Sequence, residues 1–439
     1  MIASAFPEAA AARRAIVILA LLGFVATMDL TLTALLIEPM KRELVLTDID
    51  IGLLQGSAFG LAFGIASIPI GRMIDRYSRV RMMTVGLVLW TLAIAGTGLA
   101  QDFTVLVICR IALGVVAALL IPASISLIAD LFPPEKRAVM TSVFAMGQAT
   151  GQAFGILFGG LAFDWLTGVV ANQPEALGGL TPWRALYLMA SAIGALLLVF
   201  LASLSEPTRQ ERASHSLSFK AAMRALSAHK RFLAPLLIAM MCTTIVFQAA
   251  NVWSAPLLIR NHGLSPGGFA GWLSAIVLGT GIVGSRAGGQ LAELGRKRAG
   301  RPGVLVPALV AACLSAPLSL YAVAPGVATL ALLLAFVLLF SATIATVGVV
   351  AITLNIPNEI RGLAIGGNVL ATGMFGAALA PTLIGFVSNA LGGDTHLGVA
   401  ITAVSAPAGI CAAFFFYIAM RAAAHDTSLP TEQRGQTMS

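Results

Sequence analysis

Two charged residues lie where charge is hard to keep. Asp29 stands inside the apolar run 15–37, and Arg110 inside the run 104–128. An ionised side chain near the middle of a bilayer costs about 2.5–3.5 kcal/mol or more, so each needs a partner or a water-filled cavity. Asp29 is eight residues and Arg110 six residues from the ends of their runs that face the same side. Those offsets correspond to depths of about 12 and 9 Å at ~1.5 Å per residue, close enough for an ion pair. Burial favours a neutral carboxyl group and a nearby guanidinium favours a charged one, so a pair that separates in one conformation links protonation to conformation. Asp29 is therefore a candidate proton carrier with Arg110 as its partner. The plainer alternative is a fixed ion pair tying two helices together. No histidine falls in an apolar run, and Cys109, Cys242, Cys313 and Cys411 sit in four different runs, where they read as small core residues. No metal-ligand spacing, carboxylate pair or nucleophile–base set accompanies them. An enzyme is not expected, nor a metal site, nor any cofactor beyond a proton gradient as energy source.

The elements that must position these groups are membrane helices. The chain is 58% hydrophobic and 10% charged, whereas a soluble domain carries roughly a quarter charged residues. Its apolar residues form twelve runs, each long enough for a ~30 Å hydrocarbon core: 15–37, 51–70, 82–100, 104–128, 138–163 and 183–203, then 232–259, 267–291, 303–323, 327–354, 362–387 and 397–420. Of the 27 Lys and Arg residues, 21 fall in the termini and the even-numbered loops. The bias places both termini and the central loop in the cytoplasm, and it explains the net charge of +8 without nucleic acid. Met1–Arg14 does not read as a cleavable signal, because the apolar run after it is too long and no small-residue cleavage site follows, so the first helix is expected to be retained as an anchor. Arginine outweighing lysine, with abundant alanine and glycine, suggests a bacterial inner-membrane protein.

The domain reading is an N-terminal bundle (1–203), a cytoplasmic central loop (204–231), a C-terminal bundle (232–421) and a cytoplasmic tail (422–439). In the loop, Phe219, Met223 and Leu226 share one helical face among basic residues, so an amphipathic surface helix starting near Ser218 competes with an unstructured linker. The two bundles echo each other. Pro133-Pro134-Glu135-Lys136-Arg137 after run 4 matches Pro357-Asn358-Glu359-Ile360-Arg361 after run 10. Leu35-Leu36-Ile37 matches Leu257-Leu258-Ile259. Parallel repeats of this kind belong to rocking transporters. The repeat offset places Asn251 opposite Asp29 with Gln248 one turn earlier, so both are expected to line the C-terminal half of a cavity.

Gly71-Arg-Met-Ile-Asp75-Arg76-Tyr-Ser-Arg79-Val-Arg81 follows run 2, and a weaker copy with Gly289, Glu293 and Arg296 follows run 8. The segment resembles the G-x-x-x-D-R-x-x-R signature of the major facilitator superfamily, which implies an all-α membrane protein of twelve helices in two pseudo-symmetric six-helix bundles. In that fold, Asp75 would face the N-terminus of helix 11, whose partial positive charge attracts it. Such a latch would hold the cytoplasmic side closed. Helices 2 and 5 would meet helices 11 and 8 through the glycine faces Gly56, Gly60, Gly64 and Gly147, Gly151, Gly155, where small residues let backbones approach.

Gly52-Leu-Leu-Gln55, Ser126-Leu-Ile-Ala-Asp130-Leu-Phe132, Pro256-Leu-Leu-Ile-Arg-Asn-His-Gly263 and Ala380-Pro381-x-x-x-Gly385 are similar to the Spinster-like branch. That resemblance matches Asp29 and Arg110 to the branch's acid and arginine, but Ala117 stands where its pattern has glutamate. It implies a monomeric, proton-coupled secondary transporter in the lipid bilayer, moving an amphiphile such as a lysolipid or sphingolipid-like solute. An organic-anion or sugar-acid symporter and a multidrug exporter are the alternatives within transport. A receptor on the same fold is the alternative outside it.

Overall fold

A computed structural model describes residues 8–209 and 219–425. Among the described residues there is no strand, and twelve helices are long and apolar enough to span a membrane. The first six are α1 (Ala10–Leu44), α2 (Asp48–Arg76), α3 (Arg79–Leu99), α4 (Phe103–Leu131), α5 (Pro134–Asn172) and α6 (Pro182–Ala202). The second six are α7 (Lys230–His262), α8 (Pro266–Gly303), α9 (Val306–Val323), α10 (Val327–Asn355), α11 (Asn358–Ala390) and α12 (Leu397–Ala424). Several run past the apolar stretches that mark them, because a helix leaving hydrocarbon keeps its backbone bonds and only changes its side chains. Local chemistry sets the ends. Asp102 accepts a hydrogen bond from Val105 N–H at 3.0 Å at the start of α4, and Ser265 does the same for Gly268 at the start of α8. Pro134, Pro182 and Pro266 each occupy a first turn, where a missing N–H costs nothing. A further ten-residue helix, Phe219–Ala228, precedes α7. Its Met223 is exposed and its Leu226 packs on the core of the second half. Ser218 and the tail beyond His425 lie outside the described residues. Of the cysteines only Cys109 is buried, and Cys313 is exposed, so the expectation of four core residues fails for the latter.

The helices α1–α6 and α7–α12 form two halves that touch through α1 with α7, α2 with α11, and α5 with α8. These contacts belong to one end of the molecule. A Cβ at Gly52 would lie 2.6 Å from Pro381 O, and one at Gly60 would lie 2.5 Å from the Ala378 methyl group, so α2 and α11 meet backbone to backbone there. At the opposite end, next to the termini, Gly71 of α2 and Gly362, Gly366 and Gly367 of α11 have nothing within 4 Å of a built Cβ. The hydrophobic core follows the same division. One cluster fills the first half and crosses into α7, α8, α10 and α12, while the terminal end of the second half forms a separate cluster around Phe232, Leu236, Ile352, Ile360 and Phe416. The halves therefore make a V, joined at the Asp48 end and open at the terminal end.

Both α2 and α11 carry a π-helical turn, at Leu53–Ala58 and Thr372–Ala377. In α11 the turn lies just before Pro381, which has no N–H for the carbonyl four residues back. A π turn leaves a carbonyl without its usual partner. Thr382 Oγ1 is 2.9 Å from Gly52 O across the inter-half contact and 2.8 Å from Ser57 Oγ.

Candidate substrate cleft and its gates

Asp29 and Arg110 lie inside the first half. Arg110 Nη1 is 3.3 Å from Asp29 Oδ2, and both side chains are 3% exposed. Two residues that sequence reasoning did not single out complete the arrangement. Arg110 Nη2 donates to Thr33 Oγ1 and, at 3.3 Å, to Tyr187 OH. Tyr187 OH donates to Thr33 Oγ1 at 2.7 Å, and Thr33 Oγ1 donates to the Asp29 carbonyl at 2.9 Å. The guanidinium is thus satisfied by α1 and α6 together, which a buried charge requires. Thr33 falls one turn after Asp29, a spacing that could have flagged it. Tyr187 gave no signal beyond being a hydroxyl-bearing aromatic in a span.

Asp29 also lines a cavity of about 190 Å³ with Phe59, Phe63, Trp90, Gln148 and Ala117, closed on its far side by Gly373 and Ala377 of α11. The methyl group of Ala117 leaves this wall with a single acid. A second cavity, about 250 Å³, lies against the other half. Asn251, Thr244 and Phe247 of α7, Thr280 of α8, Ser341 of α10 and Gln152 of α5 face it. Ser341 is 4% exposed and its hydroxyl has no hydrogen-bond partner. Gln248 does not line this cavity, because the α7 face that does runs through Thr244, Phe247 and Asn251 and leaves Gln248 one position off. Gln148 and Gln152, a turn apart on α5, are the cleft-lining amides that the repeat argument did not find.

The Asp48 end is sealed by an ion network between the halves. Arg260 Nε is 2.6 Å from Glu38 Oε1, and its Nη1 and Nη2 reach both Asp48 oxygens at 3.0 and 2.9 Å. Lys41 Nζ is 2.8 Å from Asp48 Oδ1, and Ser388 of α11 donates to Asp48 Oδ2 at 2.6 Å. Ser265 of α8 donates to Asp164 of α5 at 2.6 Å on the same end. Sequence reasoning met Arg260 only within the Pro256–Gly263 segment and gave Lys41 no role at this end. Arg184 pairs with Glu43 at 2.7 Å, fixing α6 to the end of α1 within the first half.

The motif after α2 is arranged differently from expectation. Asp75 makes no side-chain contact with α11 among the described residues, because the V holds the two helices apart at that end. Its backbone carbonyl instead accepts from Arg209, which also reaches Ile74 O and Tyr77 O at 2.8 Å. Arg79 is 2% exposed and joins Asp130 of α4 at 2.5 Å and Glu206 at 2.8 Å. The side chains of Arg76 and Arg81 are exposed and make no hydrogen bond among the described residues. Burial works against the Glu206 charge, but Val80 N–H, Ser78 Oγ and Arg79 outweigh it and hold its carboxyl below the ordinary value. In the second copy Glu293 and Arg296 pair with each other at 2.7 Å on one exposed turn, and nothing lies within 4 Å of a Cβ at Gly289.

The glycine faces divide. Gly56, Gly60 and Gly64 of α2 pack on Ala378 and Met374 of α11, whereas Gly147, Gly151 and Gly155 of α5 pack on Ala20, Phe24 and Met28 of α1. The expectation that these three meet α8 is therefore corrected: they close α5 onto its own half. It is Gly160, 2.6 Å from Pro266 O at a built Cβ, that meets α8.

The sequence profile of the Major Facilitator Superfamily matches residues 19–323. The chain belongs to that superfamily. Similar superfamily proteins include the uncharacterized MFS-type transporter EfpA of Mycobacterium tuberculosis, 28% identical over 59% of this chain and 40% of its own length. Another is the probable sphingolipid transporter spinster homolog 2 of Arabidopsis thaliana, 30% identical over 34% of this chain and 27% of its own. The match thus spans less than half the length of these relatives. Among solved structures, a bacterial homolog of the human lysosomal transporter Spinster, in an inward-facing and unoccupied conformation, superposes with a TM-score of 0.79. It is 20% identical, covering 95% of this chain and 97% of that one. The nucleoside transporter NupG gives 0.70 at 14% identity, over 93% and 98% of the two chains. The superfamily fold carries two copies of one helical plan, and a matched detail shows it here: Arg137 Nε and Arg361 Nε each donate to the carbonyl five residues back, at 3.1 and 3.4 Å.

Proposed function

We propose that this superfamily transporter moves a neutral or cationic amphiphile by alternating access, coupled to protons through Asp29. The observation that carries the reading is the cleft between the halves. It is sealed at the Asp48 end and open at the terminal end, and it shows a carboxylate on one wall and only neutral polar groups on the other. Arg110 is sequestered behind Asp29 and does not line the cavity, so an anion would meet the wrong charge. Phe59, Phe63 and Trp90 suit an apolar moiety, while Asn251, Gln152 and the open hydroxyl of Ser341 suit a polar head. The resemblance to Spinster-like proteins favours a lysolipid or sphingolipid-like cargo. With the termini in the cytoplasm, the side that the Lys and Arg bias favours, the cleft faces inward. Rocking would break the Arg260 network and bring α2 and α11 together at the Asp75 end.

The coupling follows from what Asp29 faces. Arg110 at 3.3 Å favours the charged form of the carboxylate. A rearrangement that lengthens that contact while the site stays buried favours the protonated form. The test is flux of a lysolipid, a sugar acid and a cationic drug into proteoliposomes under an imposed pH gradient. Lysolipid or drug flux driven by the gradient, and lost in Asp29→Asn, supports the reading. Gradient-driven flux of the sugar acid alone would discard the amphiphile, and unchanged coupling in Asp29→Asn would discard the proton role.

A further inference from the structure

Away from the cleft, α8, α9 and α10 enclose a cavity of about 640 Å³ in the second half, within the range of small-molecule sites. Its origin is a change in helix separation. Gly284 and Gly288 let α8 press against the backbone of α10 at Leu339 and Thr343. Further along, the chain turns at Gly300, with φ +67°, and the last residues of α8 fold back so that Gly303 meets Gly295 backbone to backbone just before α9 begins. Between these two close approaches the helices diverge, and the gap is lined by Leu291, Leu294, Val306, Val310 and Phe340. Leu291, Leu294, Val306 and Val310 are all more than 40% exposed, so the gap opens toward the surrounding bilayer rather than the cleft.

The polar end of this gap is basic. Arg298 lines it at the end nearest the α8–α9 turn, with Arg296, Lys297 and Arg301 on the same segment. The single acid there, Glu293, is held by Arg296 at 2.7 Å and Lys297 at 3.7 Å. Arg298 has no ion pair or hydrogen bond among the described residues. A deep apolar slot ending in an uncommitted guanidinium at headgroup level matches one occupant in charge and shape. We propose that this slot binds an anionic phospholipid of the surrounding bilayer, one acyl chain between α8, α9 and α10 and the phosphate on Arg298. The site is separate from the transport cleft, and a lipid there would brace the α8–α9 turn by filling the space that the two helices leave.

Native mass spectrometry of the purified full-length protein tests this, with phosphatidylglycerol and phosphatidylcholine of identical chains supplied in turn. The wild type is expected to retain phosphatidylglycerol at least fivefold better than phosphatidylcholine. Arg298→Gln should erase that preference. Val310→Trp, which fills the slot without touching the charge, should lower retention of both lipids. Equal retention of the two lipids by the wild type overturns the proposal, as bulk bilayer contact would give. A preference that survives Arg298→Gln, or retention indifferent to Val310→Trp, overturns it as well.

Discussion

At the residue scale the central fact is a buried arginine whose two terminal nitrogens are met by Asp29, Thr33 and Tyr187 of its own half. Removing one partner of a buried ion pair costs about 3–5 kcal/mol, because the other charge stays behind without compensation. Arg110→Leu should therefore unfold at markedly lower denaturant or temperature than the wild type in detergent. Adding Asp29→Asn to it should recover part of the loss, since no lone charge then remains. Tyr187→Phe takes away a hydrogen bond to a charged group, worth about 1.5–3 kcal/mol, and should lower the melting temperature without changing the charge of the site. Glu206 gives a pH-dependent prediction. Its carboxyl is held below the ordinary value of about 4.3, so its contribution is fully present above that pH and fades as pH falls through the depressed folded value. Glu206→Gln should be less stable than the wild type at neutral pH, and the difference should close on acidification below pH 4. A difference constant over that range would show that the carboxylate is not the stabilising species.

At the scale of elements, helix contacts were harder to read than helices. Asp29 and Arg110 were legible as a pair because depth along a helix follows directly from residue count. Thr33 and Tyr187 were not, since neutral hydroxyls are common in membrane helices and only the third dimension brings them to the guanidinium. A glycine every fourth residue states that something comes close, but not which helix. Gly147, Gly151 and Gly155 therefore carried no information on whether α1 or α8 would press against them. Glu38, Asp48 and Arg260 sit at helix ends, where charges also serve topology, and nothing in one sequence separates the two uses. The contact of α2 with α11 allows a direct check. A side chain at Gly56 would meet the Ala378 carbonyl, so Gly56→Leu should wedge the Asp48 end apart. A cysteine at Ala255, 5% exposed beneath that seal, should then react with a membrane-impermeant maleimide, and should stay unreactive in the otherwise wild-type protein.

At the scale of the molecule, Arg260 holds the two halves together through carboxylates of the other half. Glu38 and Asp48 are 4% and 1% exposed, and Arg260→Ala would take from both buried acids the guanidinium that joins them. A loss of about 3–5 kcal/mol from one conformation is as large as the few kcal/mol that separate two conformations of a protein. The variant should populate the form open at the Asp48 end, read as maleimide reaction at Ala255→Cys and as closer approach of Asp75 to Asn358 by double spin labelling. An unreactive Ala255→Cys in the Arg260→Ala background would assign the seal to apolar packing instead.

The two π turns bear on how that motion is shared. Both lie on the crossing of α2 with α11, while α5 continues as a regular helix past its crossing with α8. A straight rod resists bending and a bulged helix yields. On that ground the halves are expected to swing like a door hung along α5 and α8, with the free edge at α2 and α11. Cargo that partitions into lipid would leave sideways through this edge into a single leaflet, without crossing water. Spin-label distances between α2 and α11 should accordingly spread over a wider range than those between α5 and α8 across the transport cycle.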